Sequence, residues 1–313
     1  MSSHPLDPPA RTWSALAPLD RATVWLNSEP LTVAALNGRV VLVDFWTYSC
    51  VNWLRTLPYL RAWADRYADR GLLVVGAHAP EFGFEHDLEN VRRAAAELGV
   101  GYPVVIDNDF AIWRAFENHY WPAVYLVDQG GRVRFRHFGE EAYAQIERAV
   151  QELLGVDEEL VSVDAGGLAE PADWDALGSP ETYVGYARAE RRVDSSTDDL
   201  ALNEWSLTGA WTVDEESAVL DTAPGSIAYR FEGRDLNLVL VPPADGTAVR
   251  FAVRLDGEPP GEDHGLDVDV SGHGAVTEPR MYQLVRRRSG HHQQTFEITF
   301  LDPGARAYVF TFG

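Results

Sequence analysis

Cys50 is the only cysteine in this chain of 313 residues, and it is the side chain best suited to nucleophilic or redox chemistry. It ends the segment V-D-F-W-T-Y-S-C, which closes an apolar run typical of a buried strand. From Val51 to Tyr67 apolar residues recur every three or four positions, which predicts an amphipathic helix that stops at Gly71. A thiol at the start of a helix lies near unpaired backbone N–H groups, which favour the thiolate. The sequence therefore predicts a reactive thiol at a strand-to-helix junction.

Composition restricts what this thiol can do. A single cysteine excludes an intrachain disulfide, a cysteine-based zinc site and an internal dithiol, so a redox cycle needs a thiol from outside the chain. The formal net charge of −22 argues against nucleic-acid binding, because phosphate recognition needs a basic surface. No apolar run approaches the ~20 residues of a membrane span. The first 20 residues lack the pattern of a signal peptide, so we expect a cytoplasmic protein.

The elements around Cys50 predict one α/β domain over residues 21–155, after an extended lead-in over residues 1–20. Its strands and helices alternate, which is typical of a central mixed sheet flanked by helices. In addition to the helix after Cys50, the pattern predicts strands at Val40–Phe45, Leu72–Ala77, Pro103–Ile106, Ala123–Asp128 and Val133–Phe138, and helices at Asp87–Leu98, Phe110–Phe116 and Glu140–Leu154.

The second half of the chain has a different pattern. Residues 156–179 contain Gly and Pro without clear periodicity and are interpreted as a linker. Residues 180–313 show short alternating runs separated by turns every ~8–12 residues, which predicts a β-sandwich. Four aromatic residues either stack on sugar rings, or fill the core of the sandwich or pack against the first domain, and we favour core filling or packing over sugar stacking: Trp205, Trp211, Tyr229 and Tyr282.

The segment ending at Cys50 resembles thioredoxin-like proteins of the TlpA and DipZ groups, whose pattern is V-D-F-W-x-x-x-C-x-x-C. Asp44 matches the buried acid of that family, and Pro58 matches its helix-kinking proline. Trp121-Pro122 matches its cis-proline loop, which faces the thiol and binds extended substrate. The stretch G-A-H-A-P-E-F at residues 76–82 resembles an insertion of the DipZ group. The resemblance implies a thioredoxin-like α/β fold followed by a C-terminal all-β jelly-roll sandwich similar to carbohydrate-binding modules.

One departure from the family pattern decides the mechanism that we expect. Trp53 stands where the family has its second cysteine, which resolves the mixed disulfide formed by the first. Cys50 is therefore expected to attack a disulfide or a hydroperoxide and to be released by an external thiol reductant. Thr47-x-x-Cys50 has the spacing of the peroxiredoxin T-x-x-C motif, although Val43 replaces the proline of that motif.

The expected catalytic residues are Cys50, Asp44 and Thr47. The residues expected to line the thiol pocket and bind substrate are Trp46, Trp53, Trp121, Pro122, Glu81 and Asn118. His78 and His119 either assist proton transfer or are structural. No cofactor and no metal are expected, because four histidines of the second half lack ligand spacing: His264, His273, His291 and His292.

Two interpretations without redox chemistry remain open. In one, the chain keeps the scaffold as a redox-inactive binding module. In the other, it binds sugars through the C-terminal sandwich. A homodimer is also open.

Overall fold

The computed structural model describes residues 4–5, 15–194, 199–288 and 292–313, and the chain divides into two compact units, residues 1–169 and 170–313. Within the described ranges, no helix is long and apolar enough to cross a lipid bilayer. The same ranges contain no cluster of three His, Cys, Asp or Glu side chains arranged to hold a metal ion. His291 lies outside them.

The first unit contains a seven-stranded sheet in the order β1-β7-β6-β3-β4-β5-β2. Strands β3, β4 and β5 run parallel, while the other neighbours are antiparallel, so the predicted mixed sheet is confirmed. The strands are β1 (His4–Pro5), β2 (Trp25–Leu26), β3 (Val40–Trp46), β4 (Leu72–His78), β5 (Val104–Ile106), β6 (Ala123–Val127) and β7 (Val133–Phe138). The helices are α1 (Val33–Leu36), α2 (Val51–Tyr67), α3 (Leu88–Glu97), α4 (Ala111–Ala115) and α5 (Tyr143–Leu154).

The central strand β3 is buried along its whole length, and alternate residues serve opposite faces of the sheet. Val43 and Phe45 join a core that includes Ile112 and Phe116 from the region of α4. Asp44 faces the other way, toward α2. The position of this acid therefore follows from the two-residue period of the strand.

The N-terminal segment differs from the expected extended lead-in. Ala17–Arg21 forms a 3-10 helix, and Leu16 and Leu19 are buried in the core of the first unit. Two leucines and an alanine within five residues bury apolar area against the sheet, which stabilises an ordered turn there.

The second unit is all β. Its strands are β8 (Thr182–Tyr183), β9 (Trp205–Val213), β10 (Ala218–Phe231), β11 (Asp235–Val241), β12 (Val249–Leu255), β13 (His273–Val276), β14 (Arg280–Arg286), β15 (Gln294–Phe300) and β16 (Arg306–Phe312). All pairings between these strands are antiparallel, and the curled sheet encloses one apolar cluster. The predicted all-β sandwich is confirmed.

Three of the four aromatic residues weighed for sugar stacking lie in this core. Trp205, Tyr229 and Tyr282 have no exposed surface. Trp211 is half-buried, and its ring meets that of Phe300 edge-on at 5.8 Å. The core interpretation therefore holds for these three side chains, since a fully buried ring has no face for a sugar.

Candidate active site around Cys50

Three loops meet at the edge of the sheet where β3 ends. Trp46, the last residue of β3, pairs with His78, the last residue of β4, and Phe45 pairs with Ala123, the first residue of β6. The loop after β3 therefore lies beside the loop after β4 and the loop before β6. The first of these loops leads directly to Cys50, the second contains Glu81, and the third contains Trp121-Pro122.

Cys50 is the N-cap residue of α2. Its carbonyl accepts the first helical hydrogen bond, from Leu54 at 3.0 Å, and its own N–H donates to the carbonyl of Thr47 at 3.3 Å. The side chain is partly exposed and forms no disulfide. A thiolate here is stabilised by the positive end of the helix dipole and is accessible to a partner from solvent. The strand-to-helix junction predicted for Cys50 is confirmed.

The position of the family's second cysteine is filled by an indole ring. Trp53 lies in the first turn of α2, has no exposed surface and stacks on Trp46 with 4.3 Å between ring centroids. Its indole N–H donates to a carboxylate oxygen of Asp44 at 2.9 Å. A side chain that is buried and hydrogen-bonded inward cannot resolve a mixed disulfide on Cys50, and indole has no redox-active thiol.

Asp44 is buried completely, and this burial raises its pKa to about 7. The hydrogen bond from Trp53 opposes the shift because it stabilises the carboxylate. The hydroxyl of Tyr102 also acts to lower the pKa of Asp44. Its distance and angle to the carboxylate do not meet the geometry of a hydrogen bond. Tyr102 reaches this position because residue 76 is glycine: a Cβ there would lie 2.8 Å from Trp46 Nε1 and 3.1 Å from the Tyr102 ring.

The loop before β6 is fixed from two sides. Asn118 is buried, donates to the Tyr120 carbonyl at 2.9 Å and accepts from the Tyr125 hydroxyl at 3.2 Å. Trp121 donates its indole N–H to the Ala79 carbonyl at 2.9 Å, which ties this loop to the loop after β4. The Trp121-Pro122 bond is cis, as the resemblance implied. Tyr120 remains 46% exposed beside it.

The side chains predicted to bind substrate therefore occupy two layers. Trp121 and Glu81 are half-buried at the surface, whereas Trp46, Trp53 and Asn118 are fully buried beneath it, and Pro122 is also buried. Burial places Trp46, Trp53 and Asn118 beneath the surface residues of the site. Their role in binding stays a prediction.

The other sequence candidates are also placed by the structure. Thr47 is buried, and its hydroxyl has no hydrogen-bond partner by distance and angle among the described residues. His78 is completely buried between Tyr48, stacked at 5.9 Å, and Trp46, edge-on at 4.9 Å. Burial lowers the pKa of His78 to about 3, so the ring is neutral at physiological pH. His119 is exposed.

Sequence reasoning missed Glu85 as well as Tyr102. Glu85 is completely buried in the turn after β4 and accepts a 2.6 Å hydrogen bond from the hydroxyl of Ser49, the neighbour of Cys50. Burial raises its pKa to about 7. The available signal was a glutamate three residues after Phe82, the spacing at which an acidic side chain caps the start of a helical turn.

A mixed sheet with a thiol at the strand-to-helix junction, a buried acid beneath it and a cis-proline loop beside it defines the thioredoxin-like class. Residues 15–153 match the family model described as Redoxin, and residues 179–313 match the one described as Thioredoxin like C-terminal domain. The chain belongs to the redoxin family of thioredoxin-like proteins.

Individual relatives match one or both units. Protein DipZ of Mycobacterium tuberculosis is 36% identical over 253 residues, which cover 76% of this chain. The chain spans only 36% of the length of that protein. Thiol-disulfide oxidoreductase YkuV of Bacillus subtilis is 31% identical over 134 residues, covering 43% of this chain and 90% of YkuV. A solution structure of a thioredoxin-like protein in the oxidised form is 32% identical and covers 44% of this chain and 92% of its own, with a TM-score of 0.40.

Proposed function

We propose that this protein is a monothiol redox protein in which Cys50 exchanges disulfides with a partner and is released by an external thiol. The observation that carries the proposal is the pairing of a partly exposed thiol at the start of α2 with a fully buried Trp53 at the resolving position. The similarity to a thiol-disulfide oxidoreductase of Bacillus subtilis supports the same chemistry.

The reaction takes two exchange steps. The Cys50 thiolate attacks one sulfur of a substrate disulfide, forms a mixed disulfide with it and expels the other sulfur as a thiolate. An external thiolate then attacks the substrate sulfur of this mixed disulfide, which frees Cys50 and oxidises the external thiol to a new disulfide. The substrate half-molecule leaves in that new disulfide. No step requires a second thiol from this chain.

The loop before β6 is proposed to position the substrate. It presents Tyr120 and Trp121 to solvent beside the edge of the sheet from which the Cys50 loop departs. Its hydrogen bonds through Asn118 and Trp121 hold the backbone in place before substrate arrives. Such preorganisation lowers the entropy lost when an extended segment is bound.

A mass measurement tests the proposal directly, because the single cysteine makes every adduct assignable. The native protein is incubated at pH 7 with oxidised glutathione, and intact-mass analysis is expected to show one glutathione adduct on Cys50, removed by an added monothiol. The Cys50→Ser variant is the control and stays unmodified. A native thiol that remains inert up to about pH 8, while the urea-unfolded chain reacts, would overturn the redox proposal in favour of a binding module.

A parallel incubation separates disulfide from peroxide chemistry. Stoichiometric hydrogen peroxide converts a peroxidatic thiolate to a sulfenic acid and releases water, and the sulfenic acid is trapped with dimedone. We expect slow trapping, because the Thr47 hydroxyl, which would orient a peroxide, is buried. Trapping that is faster than formation of the glutathione adduct would assign Cys50 to peroxide reduction.

A further inference from the structure

The turn after β4 packs against the Cys50 loop through one polar and one aromatic contact. Glu85 accepts from the Ser49 hydroxyl at 2.6 Å, and the ring of Phe84 meets that of Tyr48 edge-on at 6.0 Å. Both contacted residues lie within two positions of Cys50. The turn thus contacts the loop that sets the position of the thiol.

Glu85 is also fixed within its own turn. Its second carboxylate oxygen accepts from the backbone N–H groups of Glu81 at 2.6 Å and Phe82 at 3.0 Å. The side chain has no exposed surface, so its three hydrogen bonds are made without competition from water. A carboxylate held this firmly transmits the position of the turn to Ser49.

We propose that Glu85 is a positioning residue for Cys50: it anchors Ser49 to the turn after β4 and places a buried carboxyl beside the thiol loop. This inference rests on the proposed function only in taking Cys50 as the reactive group. Nothing in the exchange steps requires Glu85 to touch the substrate. Its effect on the thiol is exerted through Ser49 and through its charge.

The charge on Glu85 depends on pH within the physiological range. Burial raises its pKa to about 7: Glu81 acts in the same direction, while the hydroxyls of Ser49 and Thr47 and the backbone N–H of Phe82 act to lower it. His86 follows Glu85 in the chain, and the Cys50 thiol follows Ser49. Above pH 7 the Glu85 carboxylate disfavours a negative charge on the sulfur of Cys50, the residue after Ser49, whereas protonation of Glu85 below pH 7 weakens this repulsion.

The substitution Glu85→Gln copies the protonated state of this group. The amide oxygen can still accept from the two backbone N–H groups, while the amide nitrogen can donate to the Ser49 oxygen. The variant therefore keeps the hydrogen bonds of the anchor but removes its charge. Ser49→Ala does the reverse, because it removes the hydroxyl donor and leaves the carboxyl in place.

The test is a 13C-NMR titration of protein labelled at the cysteine Cβ, which gives one resonance regardless of whether Cys50 reacts with any disulfide. In the native protein we expect a large step from the thiol and a small step near pH 7, to which the two buried acids Glu85 and Asp44 both contribute. In Glu85→Gln the small step loses the Glu85 contribution and keeps that of Asp44, and the thiol midpoint moves to lower pH by about 0.5–1.5 units. In Ser49→Ala the small step moves to higher pH.

The control is Glu147→Gln, which neutralises another buried carboxyl that is hydrogen-bonded to Trp63 and Tyr67, far along α2 from Cys50. It is expected to leave the Cys50 titration unchanged. Superimposable titrations of native protein and a folded Glu85→Gln variant would overturn the proposal. If that variant does not fold, an unchanged small step in Ser49→Ala overturns it instead. A titration that depends on Glu85, together with a thiol that forms no glutathione adduct, would reject the proposed function alone.

Discussion

Trp53 donates its indole N–H to Asp44 at 2.9 Å, so the residue that replaces the resolving thiol contacts the buried acid of the fold directly. The family resemblance implies that a thiol at this position would exchange a proton with that acid. The indole N–H does not ionise in this range and only donates. Asp44 is thereby held as a hydrogen-bond acceptor beneath the first turn of α2, in a chain that has no second cysteine.

Removing this donor is expected to destabilise the protein in a pH-dependent way. Trp53→Phe keeps a ring against Trp46 but leaves the Asp44 carboxylate without its donor, which costs about 1–3 kcal/mol when the acid is ionised. The loss is expected to be larger at pH 8 than at pH 5, where Asp44 is protonated. Urea unfolding at the two pH values measures this difference.

A second indole on α2 provides the matched control. Trp63 also donates to a buried carboxylate, that of Glu147, at 3.1 Å. Trp63→Phe reports the cost of losing such a donor away from the thiol loop. Equal losses for Trp53→Phe at pH 5 and pH 8 would contradict the assignment of a raised pKa to Asp44.

Asp44 itself is expected to make the native protein less stable as pH rises. Its pKa is about 7 in the folded state against an ordinary value of 3.8, so between about pH 4 and pH 7 the folded protein holds a proton that the unfolded chain has released. Stability from this group is therefore lost as pH rises through that window. Asn does not titrate in this range. The free energy of unfolding of Asp44→Asn, relative to that of the native protein, is therefore expected to grow by up to about 4 kcal/mol from pH 4 to pH 7.

Urea unfolding of both proteins across this range checks the prediction. Glu85 contributes in the same direction, but it is present in both proteins and cancels in the difference. A parallel curve for Asp44→Asn would show that burial does not raise the pKa of Asp44.

His78 is expected to have the opposite effect on the pH dependence of stability. Its pKa is lowered from 6.5 to about 3, so between these values the unfolded chain binds a proton that the folded protein excludes, and stability falls as pH falls. Neither ring nitrogen of His78 has a hydrogen-bond partner among the described residues, so the substitution His78→Phe breaks no hydrogen bond of the ring. His78→Phe is expected to gain stability over the native protein on acidification, by about 4 kcal/mol at pH 3.5.

The same unfolding series measures this effect from pH 7 to pH 3.5. His119→Gln, at an exposed position, is the reference for replacing a histidine outside the core. If the stability gained by His78→Phe did not change with pH, His78 would bind a proton as readily in the folded protein as in the unfolded chain.

The parts of the site that follow one another in the chain were predicted from the sequence. The change from a buried run to a helical period places Cys50 at a helix start, and the family resemblance identified Asp44 as a buried acid. Glu85 and Tyr102 were missed, because their roles depend on which loops meet at the sheet edge. A short polar turn and a tyrosine before Pro103 carry no sequence pattern that indicates these contacts between distant segments.

In the second unit, the sequence indicated most strands but not the longest hairpin. The longest strand, β10, runs from Ala218 to Phe231. Pro224 and Gly225 interrupt the pattern, and the pairing with β9 shifts register twice over this stretch. A bulged strand breaks the two-residue period on which strand prediction depends, so its first half lacked the expected signal.

Restoring the missing thiol is expected to restore a dithiol cycle. In Trp53→Cys the new thiol lies in the first turn of α2, where it can attack a mixed disulfide on Cys50 and close an intrachain disulfide with Cys50, releasing the reduced substrate. Loss of the buried indole costs about 3–5 kcal/mol, so circular dichroism first verifies the fold. We expect dithiothreitol-driven reduction of insulin to be at least about tenfold faster than for the native protein. Trp53→Ala creates a similar cavity without the thiol and should show no gain. If folded Trp53→Cys is no faster than Trp53→Ala, then the absence of a resolving thiol is not what limits this site.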